Sequence, residues 1–367
     1  MYRLKKVAHK DLKPGMQVGK MVLTHDNKII VNEGTVLNAV IIEGLSIWGI
    51  RDILIKEQLG DQDDTVIIET PRERITAKKK RETPEQKKFN QDYNETVNII
   101  KNTFQNISYF QEIPLGQMQE LAGYSIEKMA SATSALNYIY GLRKQDEYTF
   151  HHSIDVSIIC GIIGKWLDIK GPRLQELVLA GLLHDIGKMM IPQEIINKPA
   201  RLTEEEYNIV KQHSTLGYQL VQKTPGVSKD IAFGILQHHE KMDGSGYPMG
   251  VEGKRINQFA KIIAVADTYD ALTSERVYRG SLAPFVAIEI MVNEMFGKLD
   301  PATCFTFLDK IKDTLIGNVI TLSDGRDAEV IHIGPNLAMR PVVIAVDGEI
   351  IDLDKRKDLR IIEAKKK

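Results

Sequence analysis

LVLAGLLHDIGK, residues 177–188, is the stretch from which the fold is read. Pro172 follows Gly171 at a helix start, and apolar residues recur at helical spacing from Leu174 to Leu183. That apolar run ends on His184-Asp185. A carboxylate in such a place has to be paired, hydrated or bound to a cation. Imidazole beside carboxylate suits a divalent metal. Lys188 follows His184 by four residues and Asp185 by three, which predicts one helix face for all three. A cation there would meet an anionic substrate. A capped helix end with a surface histidine is the plain alternative.

Outward from this stretch, residues 92–313 read as helical almost throughout. Thr203 and Glu206 make a capping box, and Ser228 and Asn257 are placed to cap the next two helices. Residues 1–60 read instead as a small β-rich module. Its signs are a hairpin around His25-Asp26-Asn27-Lys28, a helix over 37–47 and a strand at Ile53-Leu54-Ile55. Residues 61–91 are crowded with Arg and Lys among Asp and Glu, and read as a charged linker leading into a helix. Residues 314–367 return to β character, with Asp324-Gly325 and Asp347-Gly348 as hairpin turns and a basic tail at Lys365 to Lys367. The two hairpins could pack on either of the preceding parts.

Composition narrows the function classes. The 367 residues carry 48 Lys+Arg against 49 Asp+Glu, a net charge of -1. That balance argues against a protein that coats nucleic acid with lysines. Two cysteines, Cys160 and Cys304, make no disulfide framework and point to a reducing, cytoplasmic setting. The start, MYRLKKVAHK, reads as lacking a signal peptide, and no apolar stretch is long enough to span a membrane. The segment from Asp92 to Ile107 could supply a homodimer interface, although Val97, Ile100 and Phe104 suit a core equally well.

Six of nine histidines fall in the helical part: His151, His152, His184, His213, His238 and His239. His152 has Val156, Ile159 and Ile163 on its face, so it is the inward member of its pair and His151 the exposed one. His238 and His239 close the apolar run from Ile231 to Leu236. Consecutive helical residues point about 100° apart, so the pair could reach two different metals. His213, taken alone, reads as a core histidine. Asp267 sits in the apolar helix AKIIAVADTYDALTS, where a lone carboxylate needs a partner. The glycines and proline of DGSGYPMG, residues 243–250, mark an irregular loop open to ligand approach.

Taken together, YTFHHSIDV (148–156), LLHDIGK (182–188), His213, QHHEKMDGSGYP (237–248) and AVADTYDALTSERVYR (264–279) resemble the HD-GYP family of metal-dependent phosphohydrolases. The resemblance covers roughly residues 93 to 310, with five motifs in order. It implies an all-α HD-type helical bundle, here flanked by the two small β-rich modules. It also implies hydrolysis of cyclic di-GMP by a metal-activated hydroxide to pGpG, with GMP following if the site takes the product again. The metal ligands it implies are His152, His184, Asp185, His213, His238, His239 and Asp267, with Asp185 bridging two ions, iron or manganese. Asp185 and Lys188 would be catalytic. Lys188, Gly246, Tyr247, Pro248, Arg276 and Arg279 would hold the substrate. Relatives with a third metal carry Glu one turn before the first histidine; Tyr148 stands there, with Glu147 one residue off, so two metals are expected. The rival readings are a phosphohydrolase of another cyclic dinucleotide or nucleotide, and a non-catalytic cyclic di-GMP receptor.

Overall fold

The structure is a computed structural model. It describes residues 2–23, 29–47, 50–58, 70–78, 83–132, 134–142, 148–274, 282–334 and 340–364. The chain forms two compact units, Met1–Glu73 and Arg74–Lys367.

In the first unit, β1 (Tyr2–Ala8), β5 (Asp52–Gln58) and β2 (Gln17–Val18) form one antiparallel sheet, with β5 central. The short strands β3 (Val22–Leu23) and β4 (Ile29–Val31) pair as the hairpin expected from sequence, while its turn, residues 25–28, lies outside the described residues. Helix α1 (Ala39–Ile47) contributes Leu45 to a core with Val7, Val18, Leu37, Ile53 and Ile55. These few apolar side chains come from strands of two to seven residues, which is why the unit stays small.

The second unit is built on long helices with local start signals. In α2 (Pro84–Phe110), Thr83 accepts a hydrogen bond from the Gln86 amide and Pro84 opens the first turn. This helix begins within the charged stretch 61–91, and a further helix, Pro71–Lys78, lies in the same stretch. Val97, Ile100 and Phe104 of α2 are all buried in the core. The helices that carry or adjoin the histidines picked from sequence are α3 (Tyr148–Trp166), α4 (Gly171–Leu183), α5 (Glu204–Lys211), α6 (His213–Gln222), α7 (Lys229–Gln237) and α8 (Gln258–Thr273). The Thr203–Glu206 capping box at α5 is present in both directions, and Ser228 and Asn257 cap α7 and α8 as their positions predict.

Helix α3 packs on α4 and α8, and α7 packs on α4, α6 and α8, so five helices pack against one another. After α9 (Pro301–Leu315) comes a five-stranded antiparallel sheet. It comprises β6 (Val319–Leu322), β7 (Asp327–His332), β8 (Val342–Ala345), β9 (Ile350–Asp352) and β10 (Ile361–Ala364), in the order β10-β6-β7-β8-β9. Ile320, Leu322, Val330 and Val343 join the same apolar core as Phe104, Leu177 and Ile263. The C-terminal hairpins thus share the core of the helical unit. Strand β10, just before the basic tail, carries no turn dipeptide to announce it; Lys365 to Lys367 lie outside the described residues.

Candidate metal centre

The chain departs from the expected continuous helix at the decisive stretch. Helix α4 ends at Leu183, His184 is its C-cap, and residues Ile186–Met190 tighten into a 3-10 turn. Gly187 allows that turn to press on the start of α6: a Cβ there would lie 1.9 Å from the His213 carbonyl oxygen and 2.6 Å from the Gly217 nitrogen. Lys188 still reaches back to Asp185, Nζ to Oδ2 at 2.5 Å. The turn therefore keeps the pairing that helical spacing predicts and also brings α6 against it.

Asp185 is buried at the centre of the cluster. Its Oδ2 lies 3.5 Å from His152 Nε2 and 3.3 Å from His184 Nε2. Its Oδ1 lies 3.2 Å from His213 Nε2 and 3.9 Å from His238 Nε2. Two groups of donor atoms result, one of His152, His184 and Asp185, the other of Asp185, His213, His238 and His239, each within 4.8 Å. Asp267 Oδ1 stands 3.3 Å from His152 Nε2, at the edge of the first group. His238 and His239 fall in the same group, with ring centroids 4.1 Å apart, rather than pointing to two separate ones. His238 ends α7 as its C-cap, so the regular 100° step does not continue to His239.

Each ring is aimed by a partner behind it. His184, His213 and His238 donate Nδ1–H to the carbonyls of Gly181, Val210 and Ile235, at 2.7, 2.6 and 2.7 Å. Each carbonyl lies three residues earlier in the chain. These bonds leave Nε2 unprotonated and facing the cluster. Burial pushes the His213 and His238 pKa values below the ordinary histidine value, and that of His239 down to about 3. Burial alone would raise Asp185, yet Lys188, His184 and His213 hold it well below the usual carboxylate range. Asp267 is held low in the same way against burial, first by its hydrogen bond with His152. Neutral imidazoles beside ionised carboxylates are what a divalent cation requires. For His152, burial lowers the pKa, but Asp267 and Asp270 outweigh it and raise it to about 9, so a cation arriving there displaces a proton. His184 Nε2 and Asp185 Oδ1 are buried with no hydrogen-bond partner among the described residues. Buried polar atoms are rarely left so, and a divalent cation in each of the two donor groups would answer them.

The same segment matches a protein-family model described as HD domain, over residues 141–303. That stretch of the helical unit thus resembles an HD domain. A Pseudomonas aeruginosa protein named cyclic di-GMP phosphodiesterase PA4108 is 34% identical over 226 residues, which is 60% of this chain and 54% of that protein. A Vibrio cholerae protein named 3'3'-cGAMP-specific phosphodiesterase 1 is 40% identical over 157 residues, 42% of this chain and 36% of that protein. The chain thus spans about half the length of the first relative and about a third of the second. Among solved structures, Bd1817, an HDG"Y"P protein from Bdellovibrio bacteriovorus, covers 84% of this chain and 100% of its own, with a TM-score of 0.52 and 19% identity. That likeness concerns the fold.

Around the cluster stand residues that sequence reasoning passed over. Asp270, fully buried, accepts from His152 Nδ1 at 2.7 Å and from the Ser274 hydroxyl at 3.0 Å. It lies three residues after Asp267 in the same apolar helix, and the cost of burying a carboxylate applied to it equally. Glu240 is buried behind the glycine-rich loop and accepts from the amides of Met249 and Val251 at 2.7 and 3.1 Å. Gly246 sits where a Cβ would come within 2.5 Å of the His239 carbonyl oxygen and the Glu240 Cα. The loop is thereby folded onto the His238-His239 turn, and the half-buried Tyr247 ring lies 4.7 Å from that of His239. Pro248 is exposed beside it. Arg276 and Arg279 lie outside the described residues. His151, expected to be exposed, is half-buried and shares a hydrogen bond with the Tyr93 hydroxyl at 3.0 Å.

Proposed function

We propose that the chain is a metal-dependent phosphodiesterase that hydrolyses cyclic di-GMP. The observation that carries this reading is the single buried carboxylate of Asp185, whose two oxygens face two different groups of histidines. His152, His184 and Asp267 would hold one cation, His213, His238 and His239 the other, and Asp185 both. Such ions, iron or manganese by the family resemblance, would supply an activated water near neutral pH and Lewis acidity toward the phosphate. Two carboxylates against two divalent ions leave the site net positive, as an anionic diester requires. Tyr148 in place of a glutamate favours two ions over three.

The chain's own residues have separate tasks. Lys188, already against Asp185, stands at the rim where a non-bridging phosphate oxygen would come, and offsets charge that develops there. Gly246 lets the loop backbone approach closely, Tyr247 offers its ring beside His239, and Pro248 extends that wall. Arg276 and Arg279 would bind phosphate, on the resemblance alone. Apolar helices around the cluster limit water to the open side. The product is linear pGpG, and GMP follows if the site takes the product again.

Purified protein loaded with iron or manganese should convert cyclic di-GMP to pGpG, followed by chromatography, and elemental analysis should give about two ions per chain. Turnover absent with every metal tried, or occupancy near three, would break the corresponding part of the reading. A second reading is supported by the 40% identical relative named as specific for 3'3'-cGAMP. Parallel assays on both cyclic dinucleotides separate the two.

A further inference from the structure

A cleft of about 530 Å³ adjoins the metal cluster. Lys188 lines it, and the same ammonium lies 2.5 Å from Asp185 Oδ2, so the cleft starts where the scissile phosphate would sit. Thr149, one helical turn before His152, also lines it. The lining also includes Lys198, Arg201 and Tyr207, with Ile195 and Leu202 as apolar wall. Its size is that of a small-molecule site.

We propose that this cleft holds the second nucleotide of a cyclic dinucleotide, the half whose phosphate is not being cleaved, with Tyr207 stacking on the base and Arg201 meeting the phosphate. The inference rests on the cyclic dinucleotide reading of the metal cluster. Both phosphates of such a substrate belong to one ring, so with one at the cluster the other nucleotide must occupy adjoining space. The three cations suit its charge. Lys198 is already engaged, its Nζ 2.7 Å from both carboxylate oxygens of Glu206. Arg201 makes no ion pair among the described residues, so its charge is available to a ligand. Tyr207 is a large aromatic left 50% exposed, on a helix whose first turn is fixed by the Thr203–Glu206 capping box. Lys211 Nζ stands 5.1 Å from its ring centroid. An exposed, rigidly mounted aromatic beside cations in an apolar-walled cleft is a stacking platform for a base.

The test compares Tyr207→Ala and Arg201→Ala with the unaltered full-length, metal-loaded chain on two substrates, cyclic di-GMP and bis(p-nitrophenyl) phosphate. The second is a diester with no nucleotide to fill the cleft. Each variant should raise KM for cyclic di-GMP about tenfold, in the range for loss of one stacked base, with kcat on the small diester unchanged. Kd for a phosphorothioate analogue of cyclic di-GMP, measured by calorimetry, should rise in parallel, and Tyr207→Phe should restore it. Equal losses on both substrates would mean that the cleft acts through the fold or the metals, and would overturn the inference. So would an unchanged KM and Kd for cyclic di-GMP in both variants. If the unaltered chain cleaves the small diester but neither cyclic di-GMP nor 3'3'-cGAMP, the underlying function fails and this inference with it.

Discussion

His151 and His152 are neighbours on one helix, and each belongs to a buried polar group containing a carboxylate. On the side of His151, the Tyr93 hydroxyl donates to Asp155 Oδ1 at 2.8 Å and lies 3.0 Å from His151 Nδ1. That network ties α2 to α3 with groups that answer one another. On the side of His152, Asp270 answers the rear nitrogen and Asp267 stands 3.3 Å from the front one, while His184 Nε2 and Asp185 Oδ1 have no hydrogen-bond partner among the described residues. The two regions share residue types, burial and even a helix. What separates them is unused bonding capacity, and that marks the second as a binding site and the first as a brace.

The sharpest way to break this contrast is Asp185→Ala. It removes the only carboxylate common to both donor groups, and should abolish turnover, by more than about a thousandfold, and reduce metal content measured by elemental analysis. Retained metal and activity would refute the central role of this side chain. Asp270→Asn comes next. It keeps a hydrogen-bonding group behind His152 but loses the charge, and metal affinity or activity should fall about 10- to 100-fold, as for other outer partners of ligating histidines. Gly187→Ala forces a methyl against the His213 carbonyl and Gly217. It should cost about 1–3 kcal/mol in chemical denaturation, as overpacking does, and lower metal occupancy in the His213 group before the His152 group. Tyr93→Phe should have the smallest effect on activity. Removing its hydroxyl leaves buried Asp155 short of a donor, a loss of about 1–3 kcal/mol in stability, while kcat per folded molecule stays within about twofold. A large loss of kcat there would erase the distinction between brace and site.

Much of this was legible in the linear order. Helical periodicity picked His152 over His151 as the residue turned to the cluster, and capping residues marked where α5, α7 and α8 begin. His184 and Asp185 stood out because they end an apolar run. His213 did not, since a histidine on an inward helix face looks the same whether it serves packing or a ligand; only the family resemblance placed it with the others. Asp270 and Glu240 were missed because their partners, His152 and the amides of residues 249 and 251, are chosen by tertiary packing or loop closure. The 3-10 turn after α4 was missed as well. Its cause is the close approach of α6 to Gly187, a long-range contact that a helical repeat does not encode. In the C-terminal sheet the turn dipeptides announced two hairpins, but β10 pairs with β6 across nearly forty residues and had no local signal.

Three of the histidines take their orientation from carbonyls three residues earlier in the chain, at Gly181, Val210 and Ile235. The direction of each ring is therefore settled within four consecutive residues, whereas the meeting of the rings at Asp185 is settled by tertiary packing. A substitution that shifts one helix would change the spacing between the rings before it changes the way any one of them points.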